Sequence, residues 1–198
     1  MFNFLTGFAR QRGNRKALVA PTHLRDGILA EIEHAIDTHS EEHPSRIALK
    51  MNALVDGRCI RALYRASQAG VRVDLNIRGI CCLVPGVEGV SENIQVVSVV
   101  GRFLEHSRIF AFTHGDAETH VWIGSADLMP RNLDTRVELV TRVEEPEARD
   151  QLLDALERGL ADEGNAWELR PDGAWERRRP DSDEPRSLHN ELMAAHAE

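Results

Sequence analysis

The stretch Arg46–Ile77, RIALKMNALVDGRCIRALYRASQAGVRVDLNI, decides the fold, because its pattern predicts a strand, a helix and a second strand in close succession. The side chains of residues 46–51 and 71–77 alternate with a period of two residues, which is typical of strands. Between them, Asp56 is suited to cap a helix, and Gly70 is suited to end it. Since a crossover helix of this length joins parallel strands, the stretch predicts an α/β fold.

Further elements are predicted on both sides of this unit. A strand at Ala17–Ala20 precedes a helix that Thr22 is expected to cap, and Pro146–Ala161 is an amphipathic helix with a leucine-rich inner face. Further strands are predicted at Ile94–Val100, Arg108–Phe112, His120–Gly124, Thr135–Arg142, Trp167–Arg170 and Trp175–Arg178. The elements together predict a single α/β domain.

Composition narrows the class of partner. The chain has 198 residues and a formal net charge of −8, which disfavours a general binder of nucleic acid or of acidic membranes but permits a local anion site. No apolar run approaches the ~20 residues that cross a bilayer, and the N-terminus lacks the pattern of a secretory signal. The three cysteines form no Cys-x-x-Cys pair, so we expect a reducing cytoplasm.

Two motifs carry residue types that phosphoryl transfer uses. His106 stands two residues before Arg108 at the start of a strand, and the turn Gly124–Asp127 ends the following strand. An imidazole can act as nucleophile or general acid, and a cation stabilises charge on phosphoryl oxygens. Ser125 and Asp127 are expected to hold the reacting groups in place. Because the motifs lie at the ends of neighbouring strands, we expect them to converge.

The remaining histidines carry no comparable pattern. None of the other eight shows metal-ligand spacing or a partner motif, so the sequence predicts packed or surface side chains and no metal site; they are His23, His34, His39, His43, His114, His120, His189 and His196. Of the 24 cationic residues, only Lys16 and Lys50 are lysines. This bias is typical of genomic base composition, although a guanidinium also matches phosphate geometry well.

Several longer runs, in the right order along the chain, resemble the final domain of the bacterial polyphosphate kinase family. They are Leu18–Pro21, Lys50–Asp56 (KMNALVD), Leu63–Ser67, Ile77–Gly86 (IRGICCLVPG), Ser91–Ile94, Val100–Arg108, Gly124–Asp127 and Arg131–Glu138 (RNLDTRVE). The likeness extends over residues 2–180. It implies a phospholipase D-like fold, in which a mixed β-sheet is flanked by helices.

The resemblance also implies an activity and its residues. The family moves the terminal phosphate of ATP onto polyphosphate, reversibly and with magnesium, so ATP, ADP and polyphosphate are the implied ligands. His106 matches a histidine that assists transfer as an acid or base. Arg78 matches an arginine that contacts nucleotide phosphates, and Arg136 is similar to another arginine of the site. Catalysis of phosphoryl transfer is mostly positioning and charge stabilisation, which suits these side chains.

The chain departs from the family pattern in two ways. Leu128 stands where the family usually has tryptophan, a change expected to alter packing more than chemistry. The family's phosphorylated histidine, its magnesium-binding arginines and its adenine-contacting domain all belong to regions upstream of the sequence given. We therefore expect half an active site, with Mg²⁺ held mainly by the upstream part. Residues 1–16 are predicted to be a strap leaving that part, 17–180 the domain, and 181–198 a charged tail with a short helix.

Three functions remain open at this point. The first is a kinase module that needs the upstream half, from a protein partner or a homo-oligomer. The second is a phosphate-binding module without catalysis, whose binding would survive His106→Ala but fail in Arg78→Ala. The third is a phospholipase D-like phosphodiesterase. Two departures from the motif of those enzymes disfavour it, because Arg108 replaces the usual lysine and Thr113 stands where an aspartate is expected.

Overall fold

The computed structural model describes residues 16–180 and 183–197, which form one nine-stranded sheet with helices on its faces. All but the last residue of the strap predicted for 1–16 lies outside the described residues. The strands are β1 Ala17–Ala20, β2 Arg46–Met51, β3 Arg72–Ile77, β4 Ile94–Val99, β5 Ile109–Thr113, β6 His120–Gly124, β7 Glu138–Val143, β8 Ala166–Leu169 and β9 Trp175–Arg177. The helices are α1 Leu24–Asp37, α2 Gly57–Gln68, α3 Pro146–Leu160 and α4 Leu188–Ala195, with a π-helix at Arg131–Thr135.

The sheet is mixed, with the strand order β1-β7-β6-β5-β2-β3-β4-β8-β9. The strands β2, β3 and β4 are parallel neighbours, and every other neighbouring pair is antiparallel. The predicted strand–helix–strand unit is confirmed, since Arg46 pairs with Arg72 and Met51 with Ile77 across its two strands. The antiparallel strands on both sides make the mixed sheet that the family resemblance implies.

The crossover helix α2 begins and ends where the sequence predicts. The Asp56 side chain accepts hydrogen bonds from the backbone amides of Arg58 and Cys59, at 3.1 and 3.0 Å. At the other end Gly70 has φ of +91°, a conformation that glycine adopts without strain, and the chain turns there into β3. Both ends are therefore fixed by local chemistry that is visible in the sequence.

Two boundaries differ from the sequence prediction. Thr22 does not cap α1, because its Oγ1 donates to Val19 O at 3.2 Å and His23 occupies the cap position. The strand β7 begins at Glu138 rather than at Thr135, because the preceding Arg131–Thr135 forms a single π-helical turn.

The two faces of the sheet are covered by different helices. Helices α1 and α2 pack together on one face, where Ile47 and Leu49 of β2 join the main apolar core. Helix α3 covers part of the other face, where Leu156 packs against Ala48. The odd and even residues of β2 thus serve two cores, as in strands buried on both sides.

The short helix expected near Glu191 is α4, and it packs against the domain. Leu188 is buried, and its amide donates to Asp162 Oδ2 at 2.8 Å. The helix also contacts α3. None of the helices in the described ranges is both long enough and apolar enough to cross a membrane.

Candidate active site

The site residues predicted from the sequence lie at one edge of the sheet. The carboxyl ends of β2, β3, β4 and β6 lie there, together with the amino ends of the oppositely directed β5 and β7. We call this the site edge, and its charged and polar residues are Lys50, Arg78, Glu105, His106, Ser107, Arg108, Ser125, Asp127, Arg136 and Glu138. In open α/β sheets, ligands bind outside the carboxyl ends of the strands.

A guanidinium–carboxylate pair lies at the centre of the site edge. Arg108 Nη2 donates to Asp127 Oδ2 at 3.0 Å, and Nε lies 3.3 Å from Oδ1. The backbone amide of Asn52 also donates to Asp127 Oδ1, at 2.7 Å. Burial raises the pKa of Asp127, but the hydrogen bonds from Arg108 and Asn52 outweigh it and hold the pKa below its usual range. The carboxylate is therefore ionised and fully engaged in holding Arg108.

The same arginine contacts the predicted catalytic histidine. Arg108 Nη1 lies 2.8 Å from His106 Nδ1 and donates to the His106 carbonyl oxygen at 2.7 Å. The same Nη1 also lies 3.3 Å from His106 Nε2, so the guanidinium faces both ring nitrogens. The ring itself is exposed to solvent. Asp127 therefore orients His106 through Arg108.

A second group of polar residues anchors the loop on both sides of His106. Lys50 is only 4% exposed; its Nζ donates to Ser107 Oγ at 2.7 Å and pairs with Glu105 at 2.8 Å. Burial lowers the pKa of Lys50, and the nearby charges of Arg78 and Arg108 lower it further against the opposing effect of Glu105. Both neighbours of His106 in the sequence are thus held by one buried ammonium group.

His189 of helix α4 completes the group of polar residues that anchors the His106 loop. His189 Nε2 donates to Glu105 Oε1 at 2.7 Å, and its Nδ1 accepts from the Phe103 amide at 3.3 Å. A Cβ at Gly101 would lie 2.6 Å from that Nδ1, so only glycine lets the loop approach the ring. Burial raises the pKa of Glu105, but the contacts with Lys50 and His189 lower it below its ordinary value.

Arg78 differs from the other cations near His106. It is half-buried at the carboxyl end of β3, beside a pocket of about 380 Å³ that the loop around Phe103 and Leu104 also lines. Within the described ranges, its guanidinium makes no hydrogen bond or ion pair with another residue. A Cβ at Gly79 would lie 2.9 Å from Asn52 O, which explains the glycine after Arg78. Arg78 is therefore a cation whose donors remain available to a ligand.

Ser125 and Arg136 lie further along the same edge, around Glu138. The Ser125 hydroxyl donates to Glu138 through a short hydrogen bond and accepts from the Leu139 amide at 3.3 Å. Arg136 is half-exposed, and its Nη1 lies 4.0 Å from Glu138 Oε1. The structure brings His106, Arg108 and Asp127 into direct contact, but it gives Ser125 and Arg136 no contact with them. Ser125 fastens the start of β7 instead.

Leu128 has a packing role, as the sequence suggests. Its side chain is fully buried, and its carbonyl oxygen accepts from the amides of Val55 and Asp56 at 2.8 and 2.9 Å. The residue ties the end of the Gly-Ser-Ala-Asp turn to the loop after β2. The change from the family's usual tryptophan therefore falls in the apolar core.

No partner motif marks the remaining histidines in the sequence, yet three of them contact a carboxylate within the part of the chain that the structure describes. His189 binds Glu105, as described above, while His114 and His120 both contact Glu31 in α1. Sequence reasoning missed these contacts because each joins residues more than 80 positions apart. It also missed Lys50, for which the rarity of lysine in this chain was an available signal.

Comparison with known proteins identifies the family of this chain. The family model described as polyphosphate kinase C-terminal domain 2 matches residues 17–188. The polyphosphate kinase of Synechocystis sp. is 53% identical over 197 residues, which are 100% of this chain and 27% of that protein. The polyphosphate kinase of Streptomyces coelicolor is 51% identical over 183 residues, 92% of this chain and 24% of that protein. The chain thus spans about a quarter of the length of these curated relatives.

Solved structures give the same relationship. The crystal structure of polyphosphate kinase from Porphyromonas gingivalis matches with a TM-score of 0.92 and 36% identity, covering 98% of this chain and 30% of that one. A phospholipase D family member from Salmonella typhimurium matches with a TM-score of 0.55 and 16% identity, covering 78% of this chain and 97% of that one. The second likeness shows the phospholipase D-like fold alone. The chain belongs to the polyphosphate kinase family, as its C-terminal domain 2.

Proposed function

We propose that the site edge binds nucleotide and polyphosphate and supplies His106 to the reversible transfer of the terminal phosphate of ATP to polyphosphate. One observation carries this proposal: Arg108, held by Asp127, contacts His106, while Arg78 keeps its guanidinium free of other described residues at the same edge. The arrangement combines a positioned imidazole with an uncommitted phosphate-binding cation. These are two of the parts that phosphoryl transfer uses.

The proposed role of His106 follows from its exposed position beside Arg108. In the transfer, the bond between the γ-phosphorus of ATP and the bridging oxygen of ADP breaks, and the phosphoryl group finally reaches a terminal oxygen of polyphosphate. An imidazole that exchanges a proton is suited to meet the charge that develops on an oxygen of the leaving or entering group. Arg78 would hold phosphate oxygens by charge-assisted hydrogen bonds, which a guanidinium makes well. Arg136 is proposed as an outer phosphate contact.

The proposed site is half of a larger one. The chain spans 27% of its Synechocystis relative. The family resemblance implies that the phosphorylated histidine belongs to the part upstream. Among the described carboxylates of the site edge, Glu105 and Asp127 are engaged by cations, and Glu138 accepts from Ser125 and Asn132, so this edge offers no free ligand set for Mg²⁺. We propose that Mg²⁺ is held mainly upstream, and that the upstream half comes from a longer chain, a protein partner or a homo-oligomer.

The proposed compartment is the cytoplasm. Cys59, Cys81 and Cys82 are free thiols, which suits a reducing environment. The net charge of −8 supports a partner that binds at one local cationic site rather than nucleic acid bound over a broad surface.

A second candidate is a module that binds phosphate chains without catalysis. This candidate is favoured because Arg78 can bind a phosphate group by itself. The phosphohistidine that catalysis would need is implied to lie in the upstream part. A phosphodiesterase is less well supported, because Arg108 replaces the lysine of the His-x-Lys motif and is already engaged by Asp127.

Calorimetric titration of the chain with a polyphosphate of defined length, and separately with ADP and Mg²⁺, tests the proposed ligands. Arg78→Ala is expected to weaken binding by roughly tenfold or more, because a lost hydrogen bond to a charged group costs ~1.5–3 kcal/mol. Arg65→Ala is the matched control, since Arg65 lies on α2 and pairs with Glu33 on the surface. Equal affinity in wild type and Arg78→Ala, or an equal loss in both variants, would contradict the assignment.

A further inference from the structure

A second cluster of titratable side chains lies at the sheet edge opposite the site edge. The strand β5 starts at the site edge with Ile109, so His114, just after its other end, lies across the sheet. The turn between β5 and β6 brings His120 back beside it, with the two rings 4.7 Å apart between centroids and nearly perpendicular. Glu31 approaches both rings from helix α1. We call Glu31, His114 and His120 the far-edge triad.

The atoms of the far-edge triad converge on one point. Glu31 Oε2 lies 3.2 Å from His114 Nε2 and 3.0 Å from His120 Nδ1, and the three potential ligand atoms lie within 4.8 Å of one another. Ligands bound to one zinc ion at ~2.0–2.1 Å in tetrahedral geometry lie about 3.3 Å apart. The observed carboxylate–imidazole separations are close to that value.

Hydrogen bonding alone leaves the cluster incomplete. His114 is 2% exposed, and its Nδ1 has no hydrogen-bond partner within the part of the chain that the structure describes. Buried polar atoms without a partner are uncommon in native structures, and each one calls for an explanation such as a bound ion or water. The nitrogen that faces Glu31 is Nε2, so an ion bound by the far-edge triad takes Nε2, and Nδ1 keeps its own need for a partner.

The charges around the far-edge triad are mixed. The carboxylate of Glu31 attracts a cation, whereas the nearby charge of Arg142 opposes one, so we expect moderate rather than extreme affinity.

We propose that the far-edge triad is a binding site for one divalent transition-metal ion, with Zn²⁺ the best match to two imidazoles and one carboxylate. This donor set leaves a fourth coordination position for water. Imidazole ligands favour zinc and its neighbours over Mg²⁺, which prefers oxygen ligands. A bound ion would join helix α1 to the β5–β6 turn, which the triad bridges.

The test uses the whole chain after removal of metals with a chelator. Zn²⁺ is titrated in competition with a chromophoric chelator, and Co²⁺ is titrated with its visible absorption as the readout. We expect one equivalent of each ion to bind, with Tm rising by about 5 °C or more when free Zn²⁺ is a hundredfold above its Kd. Mg²⁺ at the same concentration is expected to leave Tm unchanged.

Substitutions distinguish Zn²⁺ binding at the far-edge triad from binding at other histidines. Glu31→Gln keeps the shape of the side chain, and His120→Ala removes a half-buried ligand; each is expected to weaken Zn²⁺ binding at least about tenfold. His106→Ala is the control, because that histidine lies at the opposite edge, and it should bind Zn²⁺ as wild type does. Circular dichroism without metal establishes that each variant is folded, and either folded triad variant suffices for the comparison. Absence of stoichiometric binding, or binding that both triad variants retain, would overturn the proposal.

Discussion

The two edges of the sheet differ in which charged group has no Arg, Lys, Asp or Glu of opposite charge bound to it among the described residues. At the site edge, Asp127 and Glu105 are each engaged by a buried or half-buried cation, and the Arg78 guanidinium has no partner among the described residues. At the far edge, Glu31 contacts two imidazoles and no described guanidinium. Which charge a fold leaves unpaired, rather than which residues it contains, decides whether an edge suits an anion or a cation.

The largest expected effect comes from breaking the pair at the centre of the site edge. Asp127→Ala leaves Arg108 and the Asn52 amide without their acceptor, so the free energy of unfolding should fall by ~3–5 kcal/mol. The matched control is Asp154→Ala on the surface of α3, where loss of the ion pair with Arg158 should cost ~0–1 kcal/mol. Urea denaturation measures both. Equal losses would show that burial does not distinguish the two pairs.

A smaller loss of stability is expected in the group of polar residues that anchors the loop around His106. Glu105→Gln keeps the shape of the side chain but removes the charge that pairs with Lys50, so unfolding should become easier by ~1.5–3 kcal/mol. Denaturation is again the measurement, with Glu157→Gln as an exposed control that pairs with Arg46. A change no larger than in the control would mean that Lys50 does not depend on Glu105.

Acid should weaken the site edge through Asp127. Its folded pKa lies below the ordinary value, so its contribution to stability is present above the unfolded pKa and is lost as pH falls through the folded pKa. The effect is expected to be smaller than that of Asp127→Ala, because protonation leaves the carboxyl group in place. Unfolding free energies between pH 7 and pH 2 should fall less steeply in Asp127→Asn than in wild type. Parallel curves would contradict the assigned shift.

The smallest expected change in stability is at Arg78. Because this guanidinium has no partner among the described residues, Arg78→Ala should alter the free energy of unfolding by no more than ~0.5 kcal/mol while weakening anion binding. Thermal denaturation without ligand measures the first quantity. A large destabilisation would show that Arg78 supports the fold, and it would remove the contrast with Arg108.

The sequence predicts the parts of the fold that local chemistry determines. The crossover unit follows from alternation in β2 and β3, from the Asp56 cap and from the glycine at position 70. His106, Arg108 and Asp127 converge because their motifs end or begin neighbouring strands. The predicted start of β7 was wrong because the π-helical turn before this strand depends on packing. In that turn, the Asn132 side chain donates a hydrogen bond to Glu138.

Contacts between distant residues could not be predicted from one sequence. The bond between His189 and Glu105 joins the tail to the loop of His106, and the far-edge triad joins α1 to the β5–β6 turn. No local spacing marks either set, since each depends on how the helices pack on the sheet. Sequence reasoning missed Lys50 although lysine is rare in this chain, and its burial explains why the ammonium matters there.

The most direct test of the central claim is polyphosphate synthesis by a chimera. This chain would replace the matching 27% of the Synechocystis polyphosphate kinase, to which it is 53% identical. We expect the chimera to form polyphosphate from ATP, and His106→Ala in the chimera to lower the rate by roughly 10²–10⁴-fold without loss of folding. Full activity in the His106→Ala chimera, or no activity in a folded wild-type chimera, would contradict the proposal that this edge is half of a phosphotransfer site.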